Sequence, residues 1–186
     1  DAATELALER LYRGGSYAVR PVVEAILQHP ALYLGPRMVK PPVVYTAGLL
    51  RSLGHGIDTS EWVWLDALAG QQLFYPPNVA GWDESRWLDT ATFRGRWEVA
   101  SRALRNEMLD EWSRQLPLDS AGILAWALVL SGRPPISAAT RAELLAFVQR
   151  VLADAGQDPA KLRSYPLMAV NAVRMLLAVS PEKQTA

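Results

Sequence analysis

The chain has 186 residues and a mass of 20.5 kDa, and its 19 basic residues are balanced by 19 acidic ones. Half of the residues are apolar, which is the composition of a globular protein with its own core and excludes a disordered chain. Balanced charge with no block of Lys or Arg argues against a general nucleic-acid surface. The lack of cysteine excludes disulfides, thiolate catalysis and Cys-based metal sites.

The first half of the chain has the apolar spacing of four helices. Glycine ends a helix readily, proline fits its first turn, and Ser or Thr caps its N-terminus. The residues that bound these helices are, in chain order, Gly14-Gly15, a start between Ser16 and Pro21, His29-Pro30, Pro41-Pro42, Gly54, Thr59 or Ser60, and Gly70.

The second half of the chain predicts further helices after a long loop. Their starts are Asp89 or Thr90, Asp119 or Ser120, Ser137, Asp158-Pro159 and, for a final amphipathic stretch, Pro166. The helix after Asp119 is almost wholly apolar and is expected to be central. No segment alternates as a strand would, so we expect an all-α protein, an irregular bundle of about eight helices with one long ordered loop rich in Pro and Trp.

The domain organisation is expected to be a single helical domain over residues 1–186. The chain opens at Asp1 without a methionine or a signal-peptide pattern, and its helical pattern begins at once. We therefore expect a piece of a longer protein. The longest strongly apolar run, Ala121–Leu130, is too short to span a bilayer, so no membrane span is expected.

The most informative segment is the loop GQQLFYPPNVAGWDESRW, Gly70–Trp87, which has neither a helical nor a strand period. It holds large rings and amides where most loops hold small residues. One interpretation is a clasp that joins the fourth and fifth helices, with Gln71, Gln72 and Asn78 satisfying an extended Pro-Pro backbone. The other is a binding surface made by rings left exposed near Tyr75 and Trp82–Trp87.

Catalytic signatures are few. The sequence has no nucleophile elbow, no phosphate-binding glycine loop and no metal-ligand spacing, so neither a metal nor a cofactor is predicted. His29 and His55 have the sequence context of cap or turn residues. The alternative to a binding module is a hydrolase that uses Asp83 or Glu84, which follow Trp82 directly, or Asp66 on the preceding helix. The site of such a hydrolase could be completed by an N-terminal part of a longer protein. The side chains that would hold its substrate are Gln71, Asn78, Arg86 and Arg94.

The leading hypothesis is a non-catalytic helical module that binds another protein, or its own N-terminal region, or a glycan. Trp62 and Trp64 are two residues apart on one helix, so one of them should face the loop or solvent. The candidate binding residues are Gln71, Tyr75, Asn78, Trp82, Asp83, Trp87 and Arg94.

Three segments resemble one family. The order G-Q-x-L-F-x-P-P-N-V-x-G-W followed by W resembles a large bacterial family catalogued as domain of unknown function eighteen hundred; here it comprises Gly70, Gln71, Leu73, Phe74, Pro76, Pro77, Asn78, Val79, Gly81, Trp82 and Trp87. The flanking segments VKPPVVYTAGLLRSLG (Val39–Gly54) and RMLLAVSPEKQ (Arg174–Gln184) are also similar to it.

The resemblance carries expectations but no activity. It implies that this chain is the C-terminal part of a longer protein. It also implies a partner protein, and an exported or cell-envelope location in preference to a cytoplasmic one. It brings no cofactor and no catalytic residue. One departure is Val44, which stands where the family usually has a Glu, so a role of that acid beside Lys40 is not expected here.

Overall fold

The computed structural model describes residues 1–35, 37–105 and 117–185. The protein is all-α, with 69% helix and, in the described residues, no strand. Its helices are α1 Ala2–Gly14, α2 Val19–Gln28, α3 Pro30–Leu34, α4 Pro42–Ser52, α5 Glu61–Leu68, α6 Thr90–Arg105, α7 Ser120–Leu130, α8 Ala138–Ala155, α9 Pro159–Ala178 and α10 Pro181–Gln184. Eight of these ten helices have seven or more residues, which confirms the predicted fold class. None of the described helices is long and apolar enough to cross a bilayer.

The chain divides into two compact units, Asp1–Arg37 and Met38–Ala186. In the first unit α1 packs on α2, and no residue of α1, α2 or α3 is buried. The short helix α3 is capped by His29, whose Nδ1 accepts a hydrogen bond from the Ala31 N–H at 3.2 Å, as its predicted role as a cap requires. The expected single domain stays a prediction.

The second unit has two hydrophobic clusters. The first joins α7, α8 and α9; its buried members are Ile123, Leu124, Ala127, Leu144, Val148, Ala169, Val170, Val173 and Leu177. The second joins α4, α5, α6 and the end of α9; its buried members are Tyr45, Leu49, Leu50, Trp62, Val99, Ala100, Ala103 and Ala178. The apolar helix α7 packs on both α8 and α9. Of its eleven residues only Ile123, Leu124 and Ala127 are buried, so its predicted central position stays a prediction.

Most predicted helix starts are confirmed by side-chain caps. Asp89, Asp119, Ser137 and Asp158 each accept a hydrogen bond from a backbone N–H in the first turn that follows. The predicted start at Pro166 is wrong. Pro166 lies buried inside α9, which runs unbroken from Pro159. An interior proline removes one helical hydrogen bond, and here burial of the helix in the first cluster offsets that loss.

Helices α5 and α6 pack closely against each other at Gly95. A Cβ atom on Gly95 would lie 2.4 Å from the Leu68 carbonyl carbon and 2.4 Å from the Ala69 nitrogen. Both atoms belong to backbone, which cannot rotate away as a side chain can. Glycine at this position is therefore a condition of the packing that places the two ends of the Gly70–Trp87 loop side by side.

We expect Gly95→Ala to lower the free energy of unfolding by about 2 kcal/mol or more, because the added methyl group overlaps the α5 backbone. The matched control is Gly48→Ala in α4, where nothing lies within 4 Å of the new Cβ. Alanine should raise the stability there by about 0.5–1 kcal/mol through helix propensity. Urea denaturation of both variants measures the difference, and equal effects would contradict the close packing.

Candidate functional site

The base of the loop is organised by Arg96, a fully buried residue of α6. Its Nε donates a hydrogen bond to the Trp87 carbonyl at 3.0 Å, Nη1 to Gln184 Oε1 at 3.1 Å, and Nη2 to the Lys40 carbonyl at 2.6 Å. The guanidinium also lies over the ring of Tyr45, 5.2 Å from its centroid. One side chain thus connects the end of the loop, the segment before α4 and the helix α10.

Tyr45 and Gln184 complete the surroundings of Arg96. The Tyr45 hydroxyl lies 3.3 Å from the Arg96 carbonyl oxygen and 3.2 Å from that of Ala178. Gln184 Nε2 donates to the same Ala178 carbonyl at 3.0 Å, and the Gln184 carbonyl accepts from the Lys40 N–H at 2.8 Å. Burial raises the pKa of Tyr45 to about 12, against the lowering effects of Gln184 and the Arg96 charge. Burial likewise lowers the pKa of Arg96.

Two of the predicted binding residues anchor the loop instead of facing solvent. Gln71 is buried, and its Oε1 accepts a hydrogen bond from the Val43 N–H in the first turn of α4 at 3.2 Å. The ring of Trp87 is 7% exposed, and its backbone carbonyl accepts from Arg96. The amide of Gln71 is therefore structural, as the clasp interpretation predicts, but its partner is a helix and not the Pro-Pro backbone. We call Gln71 and Trp87 the loop anchors.

Between the anchors the chain projects a group of apolar side chains, and we call residues 73–79 the loop tip. Phe74 is 90% exposed and Tyr75 is 72% exposed, and Leu73 and Val79 are exposed as well. Phe74 has a φ of +63°, a left-handed conformation that is strained for a residue with a bulky side chain. The strained backbone thus belongs to the residue whose ring is most exposed.

The loop tip is held by two local turns. The Tyr75 N–H donates to the Gln72 carbonyl at 3.0 Å. Asn78 Oδ1 accepts from the Ala80 N–H at 2.8 Å, and the Asn78 carbonyl accepts from the Gly81 N–H at 3.1 Å. The predicted binding residue Asn78 is thus occupied in shaping the turn.

The remaining predicted site residues have different surroundings. Trp82 is half-buried. Asp83 begins a 3-10 turn, Glu84–Arg86, and its Oδ1 accepts from the Ser85 N–H at 3.1 Å and from Ser85 Oγ at 2.5 Å. Arg94 is exposed on α6 and lines a pocket of about 450 Å³ with Leu65 and Leu68 of α5. That pocket includes no residue of the loop tip.

Trp62 and Trp64 of α5 differ in their burial, and Arg86 contacts the first turn of α6. Trp62 is buried whereas Trp64 is largely exposed, so the prediction that they differ is confirmed. The carbonyl of Arg86 accepts from Thr92 Oγ1 at 2.7 Å, and its Nε lies 3.9 Å from Asp89 Oδ2. These contacts join the end of the loop to the first turn of α6.

Of the three predicted acids only Asp66 is buried, at 7% exposure, and Asp83 and Glu84 are exposed. The Asp66 carboxylate accepts a short hydrogen bond from Thr46 Oγ1 of α4. Burial raises the pKa of Asp66 to about 6, although the Thr46 hydrogen bond and the Arg96 charge lower it. The pocket that Asp66 lines includes neither of the other two acids. Nowhere in residues 1–35, 37–105 and 117–185 do three or more potential metal ligands cluster.

Arg96 is the residue that sequence reasoning missed. Arg94, two positions earlier, has the more obvious place beside the loop, yet it is exposed. The signal for Arg96 was its register, since it stands three, four and seven residues before Val99, Ala100 and Ala103, all buried. A charged residue in phase with the apolar face of a helix indicates a buried, hydrogen-bonded group.

We expect Arg96→Met to lower the free energy of unfolding by at least about 3 kcal/mol, because two carbonyls and one amide oxygen lose their buried donor. The matched control is Arg102→Met on the same helix. Arg102 Nε lies 2.7 Å from Glu61 Oε2 in a partly exposed ion pair, whose loss should cost less than about 1 kcal/mol. Chemical denaturation compares the two variants, and similar losses would contradict the central role of Arg96.

We expect the stability of the protein to depend on pH through Asp66. Its pKa is about 6 in the folded protein, against an ordinary value of 3.8, so the unfolded chain releases this proton first as pH rises. The protonated carboxyl group of Asp66 therefore favours the folded state. This contribution to the free energy of unfolding is fully present below pH 3.8 and is lost as pH rises through about 6. Between pH 4.5 and 7.5 the wild type should lose about 2 kcal/mol relative to Asp66→Asn, which is neutral at both values. A constant difference between the two proteins across this range would show that the pKa is not raised.

Comparison with known proteins agrees with the resemblance in the sequence. The family model described as "Protein of unknown function (DUF1800)" matches residues 1–185. Comparisons with curated proteins and with solved structures gave no match. Since the family model covers nearly the whole chain, this protein belongs to the DUF1800 family.

Proposed function

We propose that the chain is a non-catalytic module that binds another protein through the loop tip. The observation that carries the proposal is the exposure of Leu73, Phe74, Tyr75 and Val79 within seven residues of a loop whose two ends are buried. Large apolar side chains grouped on a surface are typical of interaction sites. Aromatic side chains also contribute a large share of the binding energy in interfaces.

The anchoring of the loop supports the proposal. Gln71 and Trp87 are buried at its ends, and two backbone turns shape the tip between them. A loop that already has its bound conformation loses little conformational entropy when it binds. The left-handed Phe74 is a position where backbone strain accompanies an exposed ring, which is common at sites of recognition.

The chemistry of the tip favours a protein over a glycan. Sugars are held by rings together with hydrogen-bonding groups that meet their hydroxyls. The side chains of Leu73, Phe74 and Val79 offer no hydrogen bond, and the Asn78 amide oxygen already accepts from Ala80. An apolar surface on a partner protein matches these side chains better.

The hydrolase alternative has one supporting observation, the raised pKa of the buried Asp66. A pair of catalytic acids would need a second carboxyl group in the same pocket, and the pocket at Asp66 includes neither Asp83 nor Glu84. Both are exposed, and Asp83 caps a turn. The binding module is therefore the better-supported proposal.

The loop tip can be tested with a photo-reactive residue, p-benzoylphenylalanine, placed at Tyr75 in cells that produce the protein naturally. The control places it at Met168, which is similarly exposed on α9. We expect one protein to be cross-linked from Tyr75 and not from Met168. That protein is then purified, and its dissociation constant for this chain is measured.

The second stage uses the variants Phe74→Asn and Val79→Ser against the purified partner. Asparagine tolerates positive φ, so Phe74→Asn removes the ring without new strain, and stability should change by less than about 0.5 kcal/mol. Each variant should weaken binding at least tenfold, as loss of a central apolar contact does. Unchanged affinity in both variants, or equal cross-linking from Met168, would refute the proposal.

A further inference from the structure

A pocket between α4 and α5 lies next to the loop tip and shares Leu73 with it. Its volume is about 110 Å³. We call it the Asp66 pocket; it is lined by Val43, Thr46, Ala47, Ile57, Trp62, Val63, Asp66 and Leu73. The binding role proposed for the loop tip assigns no ligand to this pocket.

The lining residues differ in burial, which distinguishes an inner end of the pocket from an outer rim. Thr46, Trp62 and Asp66 are buried and form its inner end. Ile57, Val63 and Leu73 are exposed apolar residues and form its rim. A ligand would therefore pass apolar walls before its end reached the carboxyl group of Asp66.

The charge of the pocket selects a cation. Asp66 is the only ionisable residue among its eight lining residues. The Asp66 carboxylate accepts a hydrogen bond from the neutral hydroxyl group of Thr46. The nearby Arg96 guanidinium directs its hydrogen bonds at Trp87, Gln184 and Lys40. A buried carboxylate held by a neutral hydroxyl would gain from a positively charged donor.

The size of the pocket selects among cations. A cavity of about 150 Å³ holds benzene, with its six heavy atoms, so about 110 Å³ suits four or five heavy atoms. The side chain of lysine has four carbons and one nitrogen, and its methylene stem suits apolar walls. The arginine side chain is larger by two heavy atoms and carries a wide planar head.

We propose that the Asp66 pocket receives a lysine side chain of the partner protein, with its ammonium group on the Asp66 carboxylate and its methylene stem between Val63 and Leu73. The inference deepens the proposed function and depends on it, because Leu73 belongs both to the pocket and to the loop tip. The apolar tip then supplies contact area, and the pocket supplies selection for a basic residue.

The first test uses n-butylammonium as a probe of the pocket, observed by NMR titration of the full chain at pH 7.5. We expect saturable shifts at Asp66, Thr46 and Leu73, with a dissociation constant of about 1–10 mM for so small a ligand. The neutral analogue n-butanol should bind at least tenfold more weakly. The variant Asp66→Asn should abolish the preference for the amine over the alcohol.

A second variant tests the pocket independently, so that a folding defect in Asp66→Asn cannot decide the result. Ala47→Phe places a ring at an exposed position of the pocket lining and leaves Asp66 in place. It should reduce butylammonium binding at least tenfold while the protein remains folded. Equal binding of amine and alcohol to the wild type, or unchanged amine binding in both variants, would overturn the proposal.

The second test establishes lysine as the source of the amine. Lysine with acetylated N-terminus and amidated C-terminus is compared with the corresponding norleucine, arginine and Nε-acetyllysine compounds. We expect the lysine compound to bind at least tenfold more tightly than the other three. Binding of butylammonium without binding of the blocked lysine would overturn the assignment to a protein side chain.

These results are separate from the test of the loop tip. If a partner binds through Phe74 and Val79 but the pocket does not bind amines, the proposed function is supported and the lysine site is refuted. An amine-selective pocket in a chain whose tip cross-links no partner would refute the proposed function, and with it the assignment of the amine to a partner's lysine.

Discussion

The structure depends on the buried guanidinium group of Arg96. Removing a guanidinium from water costs several kcal/mol, and Arg96 recovers this through hydrogen bonds to three oxygens and the face of Tyr45. Those oxygens belong to segments far apart in sequence, so none of the three can move without leaving charge or carbonyl groups unsatisfied. The end of the loop is fixed by this requirement and not by any regular secondary structure of its own.

The same contact joins the three segments that carry the family resemblance. Each segment supplies one oxygen to Arg96. The oxygen comes from Lys40 in Val39–Gly54, from Trp87 at the end of Gly70–Trp87, and from Gln184 at the end of Arg174–Gln184. The motif therefore combines two kinds of residue. Some members hold the loop to the body of the protein, whereas Leu73, Phe74 and Val79 have exposed apolar side chains. This second group is the reason to assign the loop tip a role outside the fold.

The sequence predicted what depends on local signals. The helix starts at Asp89, Asp119, Ser137 and Asp158 follow from side chains that cap the next few residues, and all are confirmed. Pro166 failed because tertiary burial outweighed a local preference.

Long-range contacts could not be predicted in this way. Gln71 was expected to bond within its own loop and bonds instead to Val43, 28 residues earlier. Arg96 bonds to Gln184, 88 residues later. Such partners are set by how helices pack, and neither composition nor spacing specifies them. Exposure at Tyr75 was predicted, but the division of the loop into buried anchors and an exposed tip depends on tertiary packing that the loop sequence does not specify.

Helix α9 has a further consequence for how the second unit opens. Its Val170 and Val173 belong to the first hydrophobic cluster, while Ala178 near its end belongs to the second. Loss of packing in either cluster exposes part of α9 to solvent. Because both clusters share this helix, they should unfold together as one cooperative unit. Amide protons between Ala169 and Ala178 of α9 should then exchange with solvent only through global unfolding. Those of the loop tip, held by single turns, should exchange through small local openings that leave both clusters closed.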